Sequence, residues 1–409
     1  MTINLLNTEK FKTVSIVLKF KAPLDIDTMS RRAILSKLIQ KTTEKYADEQ
    51  AMINHLAYLY GAHLYSHVIK QNNAHVLTVG IDIINDKYLI NEDLLQKAFQ
   101  LLHEVIYAPN IEGQSFREEL LTTEKHLFKN KYDAIKENLG QYGFYQLLKT
   151  MFEDESMRNP SFGDIQKLEL VTGEEVYQAY KAMLKDDEAH LYIVGDVDES
   201  RISKLAKEYL DLPKNKIDLT QVKLKDIHTP QTVVEYIETK QARINMGYKL
   251  NVKHPEKSYY AFILLNQIFG GDPSSLLFTN VREKLSLAYQ IHSQIDARSG
   301  MLYVLSGVNQ DKRQQAIDTI NDEFEKIRQG DFDNELLNTA KRMIINQKKE
   351  SMDRPKGFVE IEFSNTFGAH VDEVEWIEGI QAITKEDIID VAQTGALHTV
   401  YCLTSEGSE

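Results

Sequence analysis

Two stretches of this chain, Phe116-Arg-Glu-Glu-Leu-Leu-Thr-Thr-Glu-Lys125 and Phe332-Asp-Asn-Glu-Leu-Leu-Asn-Thr-Ala-Lys341, share six of their ten letters. Weaker echoes stand around them in the same order. Leu56-Ala-Tyr-Leu-Tyr-Gly61 matches Leu265-Asn-Gln-Ile-Phe-Gly270 in pattern. A helix opening at Thr172 matches one opening at Thr384, and the apolar strand 191–196 matches the strand that begins at Thr399. Ordered matches at a nearly constant offset indicate an internal duplication. A chain of 409 residues also exceeds one comfortable core, so two homologous domains are expected. The stretch 211–230 is charged and weakly periodic. The expected division is 1–212, a linker 213–232, and 233–409.

Periodicity places elements within the first half. Residues 11–20 alternate as a strand, and 27–38 form an apolar-striped helix for which Asp27 can serve as the cap. A second helix over 47–60 ends at Gly61. His63–Val68 and His75–Asp82 read as two strands, followed by a helix over 91–109 that Pro109 stops. A long helical region over 116–153 carries Gly140 and Gly143 as its expected break. Thr172-Gly-Glu-Glu175 is a capping box, in which the threonine and glutamate side chains satisfy each other's backbone N–H groups. Strands and helices are mixed without strict βαβ alternation. The fold class expected is therefore α+β: two domains, each an antiparallel or mixed sheet packed with helices, enclosing a space between them.

Composition excludes several functions. Charge is −13, against the clustered basic face that a nucleic-acid binder needs. The single cysteine, Cys402, excludes a disulfide framework and any Cys-rich zinc site, and its place in the last apolar strand marks it as a small buried hydrophobe. No apolar run is long enough for a membrane span, and the start reads as a strand, so a soluble cytoplasmic protein is expected.

Little familiar catalytic chemistry is present. There is no Gly-x-Ser-x-Gly, no Walker motif, no Gly-x-Gly-x-x-Gly and no His-Glu-x-x-His. Gly270-Gly271-Asp-Pro-Ser-Ser lacks the lysine of a phosphate loop. His63, Tyr65 and His67 share one face of a strand, with His75 nearby, and read as solvated or partner-facing residues more readily than as metal ligands. His103-Glu104 has no second histidine at a ligand spacing. The segment from Phe269 to Tyr289 is the most specific. It carries Leu277, Val281, Arg282 and Leu285 on one helix and brings Ala288-Tyr289 into a strand. Arg282 is either a surface charge or, with the Tyr289 hydroxyl, one of two donors converging on a peptide carbonyl or oxyanion.

That segment, Leu277-Phe-x-x-x-Arg-Glu-x-x-x-Leu-Ala-Tyr289, resembles the second domain of the insulinase/pitrilysin (inverzincin) zinc peptidases. The resemblance extends over the whole chain, and among the branches it is most similar to the small bacterial YmfF-like members. It implies two α+β domains of the mitochondrial processing peptidase type in a clamshell, with Arg282 and Tyr289 binding substrate. The departure is equally specific. The family's His-x-x-Glu-His motif belongs on the first helix, where this chain has Arg32-Ala-Ile-Leu35-Ser36, and no histidine occurs before position 50. Arg32 repels a zinc ion and Leu35 cannot take a proton from water. Near the family's third ligand stand Glu124 and His126. The resemblance thus implies no metal in this chain and zinc in a partner subunit. It points to the non-catalytic half of a heterodimeric peptidase, with a homodimer possible in isolation and a peptide as substrate. The other reading is a peptide-binding or scaffold protein with no peptidase role.

Overall fold

The computed structural model describes residues 1–90, 92–220 and 222–406. Gln221, inside the expected linker, lies outside the described residues. Strands are β1 (Thr2–Asn7), β2 (Thr13–Pro23), β3 (His63–Gln71), β4 (Ala74–Ile84), β5 (Ile111–Glu112), β6 (Ser115–Phe116), β7 (Glu188–Gly195), β8 (Gln231–Tyr236), β9 (Ala242–Lys249), β10 (Ala288–Asp296), β11 (Met301–Val308) and β12 (Ala396–Thr404). They build two five-stranded sheets, ordered β1-β7-β2-β4-β3 and β8-β12-β9-β11-β10, beside the small β5-β6 ribbon. In each large sheet the first strand of the half pairs parallel with its last strand, and every other pairing is antiparallel. The two halves therefore share one topology, which gives the repeated letters their structural meaning. Both repeated decamers start the same way, with a buried phenylalanine two residues ahead of a long helix, α4 (Glu118–Glu137) in one half and Asn334–Ser351 in the other.

The other helices of the first half that matter here are α1 (Ile26–Lys41), α2 (Glu49–Tyr58), α3 (Leu94–Tyr107) and α5 (Leu139–Met151). α1 is capped by Asp25, two residues before the expected Asp27, and the Asp25 carboxylate accepts from the Asp27 N–H. The long helical region breaks at Asn138, whose side chain caps α5. Gly140 and Gly143 sit inside α5, so their role is not to end a helix. Both capping boxes form, Thr172 with Glu175 and Thr384 with Asp387. The stretch around Arg282 is helical, but Leu277–Lys284 is wound in the wider π form, with the Leu285 N–H reaching the Asn280 carbonyl. Such turns are rare and frequent at functional sites.

Each compact unit draws on both halves of the sequence. One comprises Met1–Asp133, Asn159–Val222 and Met352–Ile361, and the other Ala134–Arg158, Lys223–Ser351 and Glu362–Glu409. In the first, Lys19 at the middle of β2 is fully buried, and Glu360 from the borrowed segment neutralises it at 2.8 Å. In the second, the borrowed α5 packs on β9 and β12. A core position filled by an ammonium is tolerable only while its counter-charge is in place. Residues 1–212 and 233–409 produced separately are thus each expected to aggregate or to lack a cooperative urea transition, and to recover solubility when co-expressed. A cooperative transition for either piece alone would contradict this.

Candidate functional site

The slot on α1 is filled by structure. Arg32, only 4% exposed, is bonded on every side. Its Nη1 donates to Asp187 Oδ2 at 2.7 Å and its Nε to His75 Nδ1 at 3.1 Å, while Nη2 donates to the carbonyls of Phe20 and His75 at 3.1 and 3.3 Å. Leu35 is wholly in the core, and the Ser36 hydroxyl donates to the Ala33 carbonyl at 2.7 Å. Burial pushes the Asp187 carboxyl up to about 6 against the pull of Arg32. Burial, with Arg32 beside it, pushes the His75 imidazole down to about 3. The geometry agrees, since Nδ1 accepts from Arg32 and Nε2 faces the Ser161 carbonyl at 2.8 Å, which suits the neutral ring.

Glu124 is brought to a different face of α1. It is 2% exposed, and its Oε1 meets the Lys41 ammonium at 2.6 Å. Lys37, one turn earlier, donates to the Ser66 carbonyl at 2.8 Å and feels the same carboxylate. Burial pulls the Lys41 pKa down, but its pairing with Glu124 and Glu49 outweighs that, and the net shift is upward. His126 is exposed and contacts Asn130. The lysines at 37 and 41 escaped sequence reasoning. The available signal was their i, i+4 spacing on the helix that carries the slot, together with Glu124 on the apolar Leu121/Phe128 face of α4.

These residues do not fit a zinc ion. Its usual donors are imidazole, thiolate and carboxylate. Here one side of the helix is a satisfied guanidinium and the other an ammonium–carboxylate pair. Among the described residues no group of three or more His, Cys, Asp or Glu could hold a metal. Dialysis of the purified chain against zinc, followed by elemental analysis, is expected to leave far less than one zinc per chain. The triple variant Arg32→His, Leu35→Glu, Ser36→His should lose its fold rather than gain an ion, because it removes the Arg32 network and buries a carboxylate at Leu35. A folded variant holding one zinc would contradict this account.

The histidines of the first half are divided by the sheet. On β3, His63 and Tyr65 stack at 5.3 Å, and Tyr65 and His67 at 6.2 Å. His75 lies on the other face of its sheet, with Arg32. Burial, then Lys19 and Lys356, pushes His67 down to about 4, and burial with Arg298 does the same to His254. In the unfolded chain these imidazoles regain ordinary values near 6.5, so between that pH and about 4 the unfolded state binds protons the folded state refuses. Asp187, raised when folded, acts in the opposite sense over the same range but supplies one proton against three. Stability is expected to fall as pH drops from 7 to 5. A urea midpoint that rises over that interval would contradict the assignment.

Arg282 and Tyr289 lie in the second unit. Leu277 and Val281 anchor the π turn in the core of the second unit, and Arg282 stays exposed with its guanidinium over the Phe278 ring at 4.4 Å. The chain then turns through Ser286, which takes a left-handed φ of 50°, and Leu287 and Ala288 are buried again. Tyr289 follows at a bulge: Ala288 pairs with Val308 and Gln290 with Gly307, which leaves Tyr289 out of register. A bulge re-aims a side chain, and Tyr289 is 58% exposed on β10, the edge strand of its sheet, which pairs with β11 alone. The segment thus presents a guanidinium and a phenol outward from a rigid base. Cys402 is buried, and burial pushes its thiol up to about 11, so it is no nucleophile.

Residues 171–344 match the model of the peptidase M16 inactive domain. The chain is 30% identical over 406 residues, 98% of its length and 95% of the other's, to a Bacillus subtilis (strain 168) protein named "Probable inactive metalloprotease YmfF". A second protein of that bacterium, "Uncharacterized zinc protease YmxG", is 27% identical over 56% of each chain. The solved structure of a conserved protein from Enterococcus faecalis V583 superposes with a TM-score of 0.90 at 30% identity, covering 100% of this chain and 96% of that one. Among the described residues no helix is long and apolar enough to cross a membrane.

Proposed function

The chain belongs to the M16 (insulinase/pitrilysin) peptidase family, and from that premise we propose that it is the non-catalytic subunit of a two-chain zinc peptidase. Its own residues hold no metal and take no proton from water. Its part is to bind a peptide and to direct Arg282 and Tyr289 at the backbone carbonyl that a zinc-bearing subunit of the same family attacks. The observation that carries this reading is a contrast within one chain. The metal slot is filled by buried structural pairs, whereas Arg282 and Tyr289 are exposed on a segment that Leu277, Val281, Leu287 and Ala288 anchor in the core. One bacterium encodes both a relative named as inactive and a relative named as a zinc protease, which supports the division of labour.

A peptide-binding scaffold is the second reading, and the filled slot is equally compatible with it. Association separates the two. Co-expressed with a family member of its own genome that carries His-x-x-Glu-His, the chain is expected to elute as a one-to-one complex, with native mass spectrometry finding both chains. Elution of this chain apart from every such member would favour the scaffold.

A further inference from the structure

On the sheet of the second unit, one group of polar donors has no partner. Arg243 and Asn245 stand two residues apart on β9, on the same face, opposite the core residues Ile244 and Met246. Arg243 Nε and Nη1 and the Asn245 amide nitrogen are all hidden from solvent without an acceptor among the described residues. Asn245 is 2% exposed. Buried donors are nearly always paired, so three in one place call for an explanation.

Two glycines frame them. Gly307 faces Arg243 in the β9–β11 register, and a Cβ there would lie 2.4 Å from Nη1. Gly143 of α5 lies over Asn245, where a Cβ would come within 2.5 Å of the amide nitrogen. Side chains at these positions would fill the space into which both donors reach. The nearest acid in the same row of the sheet, Glu235, is committed elsewhere: Tyr142 donates to its Oε1 at 2.8 Å and Tyr401 donates to its Oε2. Across Gly307 the next residue is Gln290 of β10, neighbour of Tyr289. The guanidinium therefore extends over Gly307 toward the strand that carries the proposed substrate-binding tyrosine. Arg243 as a whole is half-buried, so part of it remains open to solvent, and a side-chain rotation of the kind common on binding would present its N–H groups.

We propose that Arg243 and Asn245 form a carboxylate-binding subsite, which takes an acidic side chain or the C-terminal carboxylate of the peptide held by Arg282 and Tyr289. The assignment rests on the peptide-binding reading above and adds a preference to it. Arg243 is positively charged and can only donate, and the unpartnered Asn245 amide N–H lies beside it, so the pair suits an anion with free lone pairs better than a cation.

The test uses the full chain and three short fluorescein-labelled Ala/Ser/Leu peptides that differ at one group. The first has an internal Asp and an amidated C-terminus, the second Asn and an amidated C-terminus, and the third Asn and a free C-terminal carboxylate. By fluorescence anisotropy at least one carboxylate peptide is expected to bind roughly 10- to 100-fold more tightly than the neutral one, the range for a charged hydrogen bond. Which of the two it is identifies the source of the carboxylate. Arg243→Gln should abolish the difference by bringing the carboxylate peptide's affinity down to that of the neutral one. Equal binding of all three peptides to the unmodified chain would overturn the assignment alone, with no variant needed. Retention of the preference in Arg243→Gln would overturn it too. Failure of any peptide to bind would overturn the peptide-binding reading and this subsite together.

Discussion

Arg282→Ala and Tyr289→Phe are each expected to lower peptide turnover by the proposed two-chain enzyme on the order of 10²-fold, the cost of one lost donor to a developing oxyanion. The same variants should melt within a degree or two of the unmodified chain, because exposed substitutions change stability by only about ±0.5 kcal/mol. The geometry sets this separation. Arg282 contacts the Phe278 ring and Tyr289 sits outside the strand register, so neither bears on the core. The buried residues on either side, Val281, Leu287 and Ala288, are the ones that hold the segment. The measurement is kcat of the reconstituted complex beside the melting curve of each variant. Full turnover in both variants would leave the scaffold reading ahead.

Arg32→Leu should act in the opposite way, with a loss of about 3–5 kcal/mol in folding stability, the range for removing one member of a buried ion pair. Leucine would strand the Asp187 carboxylate, 6% exposed, together with two backbone carbonyls and the His75 acceptor. Arg32→Lys should recover only part of the loss, since an ammonium cannot reproduce the planar set of donors that spans Asp187, Phe20 and His75. The double variant Arg32→Leu, Asp187→Leu should be more stable than Arg32→Leu alone, because no charge is then left uncompensated. Urea unfolding at pH 7 measures all three. A single-variant loss below about 1 kcal/mol would mean that the network is incidental.

Much of the fold was legible in the letters because duplication, capping and alternation are local. The six shared residues at Phe116 and Phe332 announced the repeat, and the two sheets bear it out with one strand order. Thr172 and Thr384 cap their helices as their spacing required. What failed also failed locally. Asp25 and Asp27 are both competent caps, and only the backbone before Ile26 selects between them. Gly140 and Gly143 looked like a break, yet Asn138 supplies it, and Gly143 instead allows close approach to Asn245.

The exchange of segments between compact units has no sequence signature, because α5 follows α4 in each reading and only tertiary packing decides which sheet receives it. The candidate site divides in the same way. The missing histidines and the Arg282–Tyr289 pattern stand in the letters. The filling of the slot does not: Arg32 meets Asp187 from a position 155 residues away, and Lys41 meets Glu124 from another helix. Arg243 and Asn245 read as ordinary strand residues until their lack of partners is seen in three dimensions.

The central claim is that this chain contributes to peptide hydrolysis without performing it. It is tested most directly by following one quenched fluorescent peptide with three samples: the chain alone, a His-x-x-Glu-His-bearing family member alone, and the two mixed. The account predicts no turnover by the chain alone at any zinc concentration. It predicts turnover by the mixture well above that of the zinc-bearing member, saturating at one chain of each kind. Zinc-dependent turnover by the chain alone, at a rate matching the mixture, would contradict it.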